Sequence, residues 1–104
     1  MLIIMETINM NHKNYVKELF KLIEGKGYTI ECESEHEPIT KDDVLKHKVD
    51  DATIYILDKD KIDIGWIYWT FWNDWDESIS DYTSDLDKIL NLDGFIKNHT
   101  YMTS

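Results

Sequence analysis

Arginine is absent: all eleven cationic residues of this 104-residue chain are lysine. That removes the planar, bidentate fork with which proteins grip phosphate and guanine. There is one cysteine, Cys32, so no intramolecular disulfide forms. A lone cysteine packs as a small buried hydrophobe in a reducing compartment. One proline and four glycines leave no linker, low-complexity tract or Gly-rich phosphate loop. No apolar run reaches membrane length. The opening Met1-Leu2-Ile3-Ile4-Met5 is apolar but short, with no basic n-region or cleavage site, and reads as a short strand or ordered tail. A cytoplasmic protein is the expectation.

Cations are also outnumbered. Twenty-one Asp and Glu face those eleven Lys, for a formal net charge of −10. An acidic surface repels phosphate, which argues against direct nucleic-acid binding. The apolar fraction is 42%, with four Trp, six Tyr and three Phe, enough for a core despite the charge. The length suits one small domain, residues 1–104. The bias toward Ile, Lys, Asp, Asn and Tyr tracks A/T-rich codons and points to a low-GC bacterial host or one of its phages.

Periodicity predicts an amphipathic helix over residues 12–24, with Tyr15, Val16, Leu19, Phe20 and Ile23 on one face. Asn11 is its expected cap, and Gly25 or Gly27 its stop. Residues 28–33 alternate as a strand, which Pro38 should not extend. Thr40 and Asp43 form a capping-box pattern for a short helix over 41–48. Two further strands, Ala52–Asp58 and Ile62–Trp72, flank Asp58-Lys59-Asp60-Lys61 as a hairpin, and Asn73-Asp74 should end the second of them. Ser84 and Asp87 suggest a cap for a C-terminal helix through about residue 92, with Gly94 as its stop and a frayed tail from Lys97. The expected fold is α+β: a small antiparallel sheet of about three strands, an N-terminal amphipathic helix and a C-terminal helix.

Charge is uneven. Residues 1–30 carry four Lys against three Glu, so the excess of acid lies beyond them. In an extended Glu31–Glu37 segment, Glu31, Glu33, Glu35 and Glu37 would line one edge about 6.6 Å apart, a spacing similar to phosphates along a nucleic-acid strand. The plainer reading is a solvated edge strand whose charges block aggregation. A second segment holds Asp74, Asp76, Glu77, Asp81, Asp85, Asp87 and Asp93 against Lys88 alone. Asp85 and Asp87 suit a helix N-terminus, whereas the four acids before them have no such role. The strand Ile64–Trp72 is apolar on both faces, with Trp66, Tyr68 and Trp72 on one and Ile67, Trp69 and Phe71 on the other. Either the helices and the tail cover both faces, or Trp72 and Trp75 beside Asp74 and Asp76 form exposed anchors.

Catalytic patterns are missing. The four His are scattered, and Glu35-His36-Glu37 lacks the helical His spacing of a zinc protease. Alternation places Cys32 and His36 opposite the glutamates, so no metal site is expected. The run from Asp58 resembles the start of a calcium loop, but the required sixth-position glycine is Asp63. No serine sits in a nucleophile elbow. No cofactor and no enzymatic activity are expected.

The helix ending in Gly25-Lys26-Gly27-Tyr28-Thr29, the central hairpin and Ile79-Ser80-Asp81-Tyr82-Thr83-Ser84-Asp85-Leu86 resemble small acidic inhibitors encoded by phages and mobile elements, anti-CRISPR proteins among them. The resemblance is one of topology and charge over most of the chain. It implies a protein inhibitor that presents carboxylates to the nucleic-acid-binding groove of a basic host defence protein or nuclease. The expected partner-binding residues are Glu31, Glu33, Glu35, Glu37, Trp72, Asp74, Trp75, Asp76, Glu77 and Asp81. Two alternatives stand beside it: an immunity or antitoxin protein neutralising a basic toxin, and a self-associating accessory domain whose aromatic strand forms a homodimer. No membrane partner is expected.

Overall fold

Apolar residues recurring every three or four positions from Tyr15 build the first helix. The computed structural model describes residues 15–72 and 76–99. The expectations for Met1–Met5, for the Asn11 cap and for Asn73-Asp74 as a strand end fall outside them. Helix α1 (Tyr15–Gly25) buries Tyr15, Val16, Leu19, Phe20 and Ile23 and exposes Lys17, Glu18, Lys21 and Glu24. After it the chain turns through Gly27, whose φ of 90° is left-handed and free of strain only in glycine.

Strand β1 (Thr29–Ser34) turns back tightly into β2 (Glu37–Ile39). Glu35 and His36 form the turn with φ of 52° and 67°, the all-positive pattern that matches strand twist in a two-residue hairpin. Pro38 is therefore inside an edge strand, where a missing N–H is tolerated. Helix α2 (Lys41–Leu45) begins with the expected box: Asp43 N–H donates to Thr40 Oγ1 at 3.1 Å, and Thr40 N–H to the Asp43 carboxylate at 3.0 Å. Strands β3 (Asp51–Leu57) and β4 (Asp63–Trp72) form the expected central hairpin, and β5 (Asp76–Tyr82) follows.

The fold is α+β, but among the described residues the antiparallel sheet has five strands, in the order β2-β1-β3-β4-β5, rather than about three. The two unexpected strands are the edges. β2 is only three residues long, and β5 reads by composition as an acidic loop.

Register sorts the faces. Cys32, Ile54 and Ile67 align across three strands, and Ala52 pairs with Trp69. These residues join the buried faces of the helices in one core cluster. Gly65 lies in this layer because a β-carbon there would stand 2.7 Å from the buried Leu86 of α3 (Asp85–Leu90). Helix and strand meet closely at that point.

The C-terminal expectation needs correction. Ser84 sits at the N-terminus of α3 but makes no side-chain cap bond. Asn91, in the left-handed region at φ 53°, ends α3, and α4 (Leu92–His99) carries on through Gly94. Asp87 accepts from Asp93 N–H at 2.8 Å and so serves the first turn of α4. Gly94 stops nothing, because Asn91 adopts the left-handed conformation instead.

Candidate functional site

The sheet face away from the helices shows another chemistry. Its residues follow from the same register: Glu31, Tyr55 and Trp66 form one cross-strand row, and Glu33, Thr53, Tyr68 and Asp81 the next. Asp51, Thr70 and Ser78 form a third. Among the described residues no helix packs here, and Tyr55, Trp66 and Tyr68 stay outside the core cluster, half-buried.

Asp81 reaches this face through a bulge. Trp69 pairs with Ile79 but Tyr68 pairs with Asp81, so Ser80 is an extra residue in β5. One extra residue inverts the in-out alternation beyond it. Asp81 consequently shares the side of Ser78, while Tyr82 joins the core side.

The phenols are tied to the acids. Tyr55 Oη donates to Glu33 Oε1 at 2.6 Å, and the charge of Asp51 acts on the Tyr68 phenol. The bond to Glu33, together with partial burial and the nearby charges of Glu33 and Asp63, pushes the Tyr55 pKa up. For Tyr68 partial burial is the main cause and Asp51 the second. Asp51 also accepts from Ser34 Oγ at 3.3 Å, and Thr70 Oγ1 pairs with Ser78 Oγ at 2.9 Å. Two adjoining depressions of about 330 Å³ each share Thr53 and Tyr68. One is floored by Tyr55 and Trp66 with Asp81 at its edge, and the other opens among Glu33, Glu35, His36 and Asp51. Together they make a trough with aromatic and carboxylate walls.

The five described strands contain eight carboxylates, at Glu31, Glu33, Glu37, Asp51, Asp63, Asp76, Glu77 and Asp81, and no lysine. The sheet thus concentrates charge of one sign, and the described lysines lie on helices and loops.

The expected row of four glutamates does not form. Glu31 and Glu33 share the open face, Glu35 is in the hairpin turn, and Glu37 pairs with Ser34 on the opposite side from Glu33. The Glu35-His36 turn breaks the alternation that a continuous strand would keep. Glu31, Glu35, Glu37 and Asp81 are exposed, and Glu33 is half-buried. Asp74 and Trp75 fall outside the described residues, as do the side chains of Trp72 and Asp76, so the expected Trp72–Trp75 anchor lies there too.

Glu77 is no surface acid. It pairs with Phe71 on the core side, and its side chain is fully buried. Its carboxylate accepts from Val16 N–H at 2.9 Å and from Trp69 Nε1–H at 3.3 Å, and it bonds to His47 Nε2. The Val16 amide is in the first turn of α1, so a residue 61 positions away caps that helix. Burial raises the Glu77 pKa, and the His47, Trp69 and Val16 contacts partly oppose it. His47 lies flat on Phe71, with ring centres 4.0 Å apart. The trough does not reach either residue, and the pair joins α1, β4, β5 and the segment after α2. Glu77 is a structural anchor, not part of a docking surface.

Sequence reasoning isolated Trp66 and Tyr68 as one face of β4 but missed Thr53, Tyr55 and Asp51. The alternation of β3, with Ala52, Ile54 and Ile56 buried between them, was the available signal. Cys32 is buried, and burial pushes its thiol up to about 12. No group of three or more His, Cys, Asp or Glu suited to a metal occurs among the described residues. Nor is any described helix long and apolar enough to cross a membrane.

No family model, curated protein or solved structure matches this chain.

Proposed function

We propose that the protein is a non-catalytic acidic inhibitor that docks the open face of its sheet onto the cationic, nucleic-acid-binding surface of another protein. One observation carries the reading: Glu31, Glu33, Asp51 and Asp81 lie beside the Tyr55, Trp66 and Tyr68 surface, and no described strand holds a lysine. Aromatic side chains supply area that gains from being dried, and carboxylates supply sign. Glu33 is already held by the Tyr55 hydroxyl and Asp51 by the Ser34 hydroxyl, so little side-chain freedom is lost when a cation meets them. Carboxylates set on a rigid sheet replace phosphates without requiring the single row that the chain does not form.

Self-association through the same face fits less well. Two copies set face to face would bring these carboxylates together with no strand lysine to offset them.

The test is capture from a low-GC bacterial lysate on the immobilised protein, washed across a salt series with and without competing DNA or RNA. The expected result is a nucleic-acid-binding protein held at low salt and released by either salt or nucleic acid. A retained partner indifferent to both, or none at all, overturns the reading.

A further inference from the structure

Of the two depressions on the open face, one has an aromatic floor. It is bounded by Thr53, Tyr55, Trp66, Tyr68 and Asp81, with a volume of about 330 Å³. We propose that this depression receives an arginine side chain of the partner protein, stacked on the aromatic rings and hydrogen-bonded to Asp81. The proposal rests on the docking reading above and names the group that anchors it.

Three observations converge. Three of its five lining residues are aromatic, Tyr55, Trp66 and Tyr68, and a cation is attracted to the face of such a ring. Asp81 stands at its edge with one carboxylate oxygen, Oδ1, taken by Tyr82 N–H at 2.8 Å, so the other is available for an incoming donor. Glu33 and Asp51 lie across the shared Thr53 and Tyr68 boundary, and no lysine in any described strand competes for the place. The bulge in β5 sets Asp81 opposite Tyr68, so the acid at the rim is specified by the backbone.

Arginine fits this geometry better than lysine. A guanidinium is planar, stacks on a ring and donates in its own plane to a carboxylate, and it is more weakly hydrated than an ammonium. A lysine head group would satisfy the charge but leave the flat aromatic floor without a flat partner.

The test titrates the intact protein with Nα-acetyl-arginine methylamide, the matching lysine compound and the uncharged citrulline compound at equal ionic strength. The readout is the indole N–H resonance of Trp66 by NMR, with the buried Trp69 as internal control. The expected result is a saturable shift of Trp66 and not Trp69, with arginine bound about fivefold more tightly than lysine and citrulline without effect. Asp81→Asn should weaken the arginine response by about fivefold while leaving the rest of the spectrum in place. An unmoved Trp66, equal responses to arginine and citrulline or to arginine and lysine, or an Asp81→Asn variant that binds as well as the parent overturns the proposal. The docking reading fails separately: it falls if capture of a basic protein ignores salt and nucleic acid, whatever Trp66 does. It stands without the arginine anchor if capture behaves as expected while Trp66 does not respond.

Discussion

Replacing Glu77 with alanine should unfold this protein more readily than any change on its acidic surface. The side chain is fully buried and satisfies Val16 N–H, Trp69 Nε1–H and His47 at once. Alanine leaves two N–H donors and an imidazole without their shared acceptor and opens a void between α1 and the sheet. Each buried donor left unpaired costs about 1–3 kcal/mol. Because the contacts share one carboxylate, these costs overlap, and about 4 kcal/mol is the expected loss. For a domain stable by about 5–15 kcal/mol that is a large fraction. The assay is urea unfolding followed by tryptophan fluorescence. With an m-value near 2 kcal/mol/M, the midpoint should fall by about 2 M. A loss below about 1 kcal/mol would refute the anchoring role, since that is what an ordinary surface substitution costs. Glu77→Gln keeps one acceptor oxygen and should lose less.

That pair of proteins also reports on pH. Burial raises the Glu77 pKa in the fold, so the protonated form is favoured there. The resulting stabilisation is full below the unfolded value of about 4.3 and is lost as pH rises through the folded value. Glutamine does not titrate. The stability of the parent relative to Glu77→Gln should therefore be highest near pH 4 and decline toward neutrality. A relative stability that grows with pH across this window would contradict the raised pKa.

Two further outcomes follow from the core. Gly65→Ala places a methyl group 2.7 Å from the buried Leu86 and should cost about 1–3 kcal/mol, read as a lower thermal midpoint; an unchanged midpoint would mean that α3 does not sit on β4 as described. Cys32, buried and with its thiol pushed up to about 12, should resist a disulfide-forming probe at pH 8 until urea unfolds the chain. Rapid labelling of the folded protein would contradict its burial.

Parts of this architecture were legible in the sequence because one physical cue dominated locally. The Tyr15-Val16-Leu19-Phe20-Ile23 stripe fixes α1, and Thr40 with Asp43 fixes the start of α2. Branched and aromatic residues on either side of Asp58–Lys61 fix the β3–β4 hairpin. The rest was obscured where cues conflict. In β5 the acids read as loop, and the inward alternation of Glu77 and Ile79 is recognisable only once Glu77 has its buried donors. Glu35-His36 makes a left-handed turn without Asn or Gly, so the alternation of four glutamates looked continuous. Near the C-terminus Asn91, not Gly94, takes the left-handed position. For the site, period-two alternation revealed that Trp66 and Tyr68 share a side of β4. The partners that flank them depend on cross-strand register and on a one-residue bulge, neither of which is a local property.

The most direct test of the docking account compares two variants with equal change in charge. One carries Glu31→Lys, Glu33→Lys and Asp81→Lys on the open face. The other carries Glu18→Lys, Glu24→Lys and Asp60→Lys, all exposed and all away from the sheet face. Folding of both is checked by circular dichroism, and each is then assayed for capture of the nucleic-acid-binding partner at fixed salt. The account predicts that the open-face variant loses capture while the other retains most of it. Equal loss from both would show that only total charge matters, and full retention by the open-face variant would place the docking surface elsewhere.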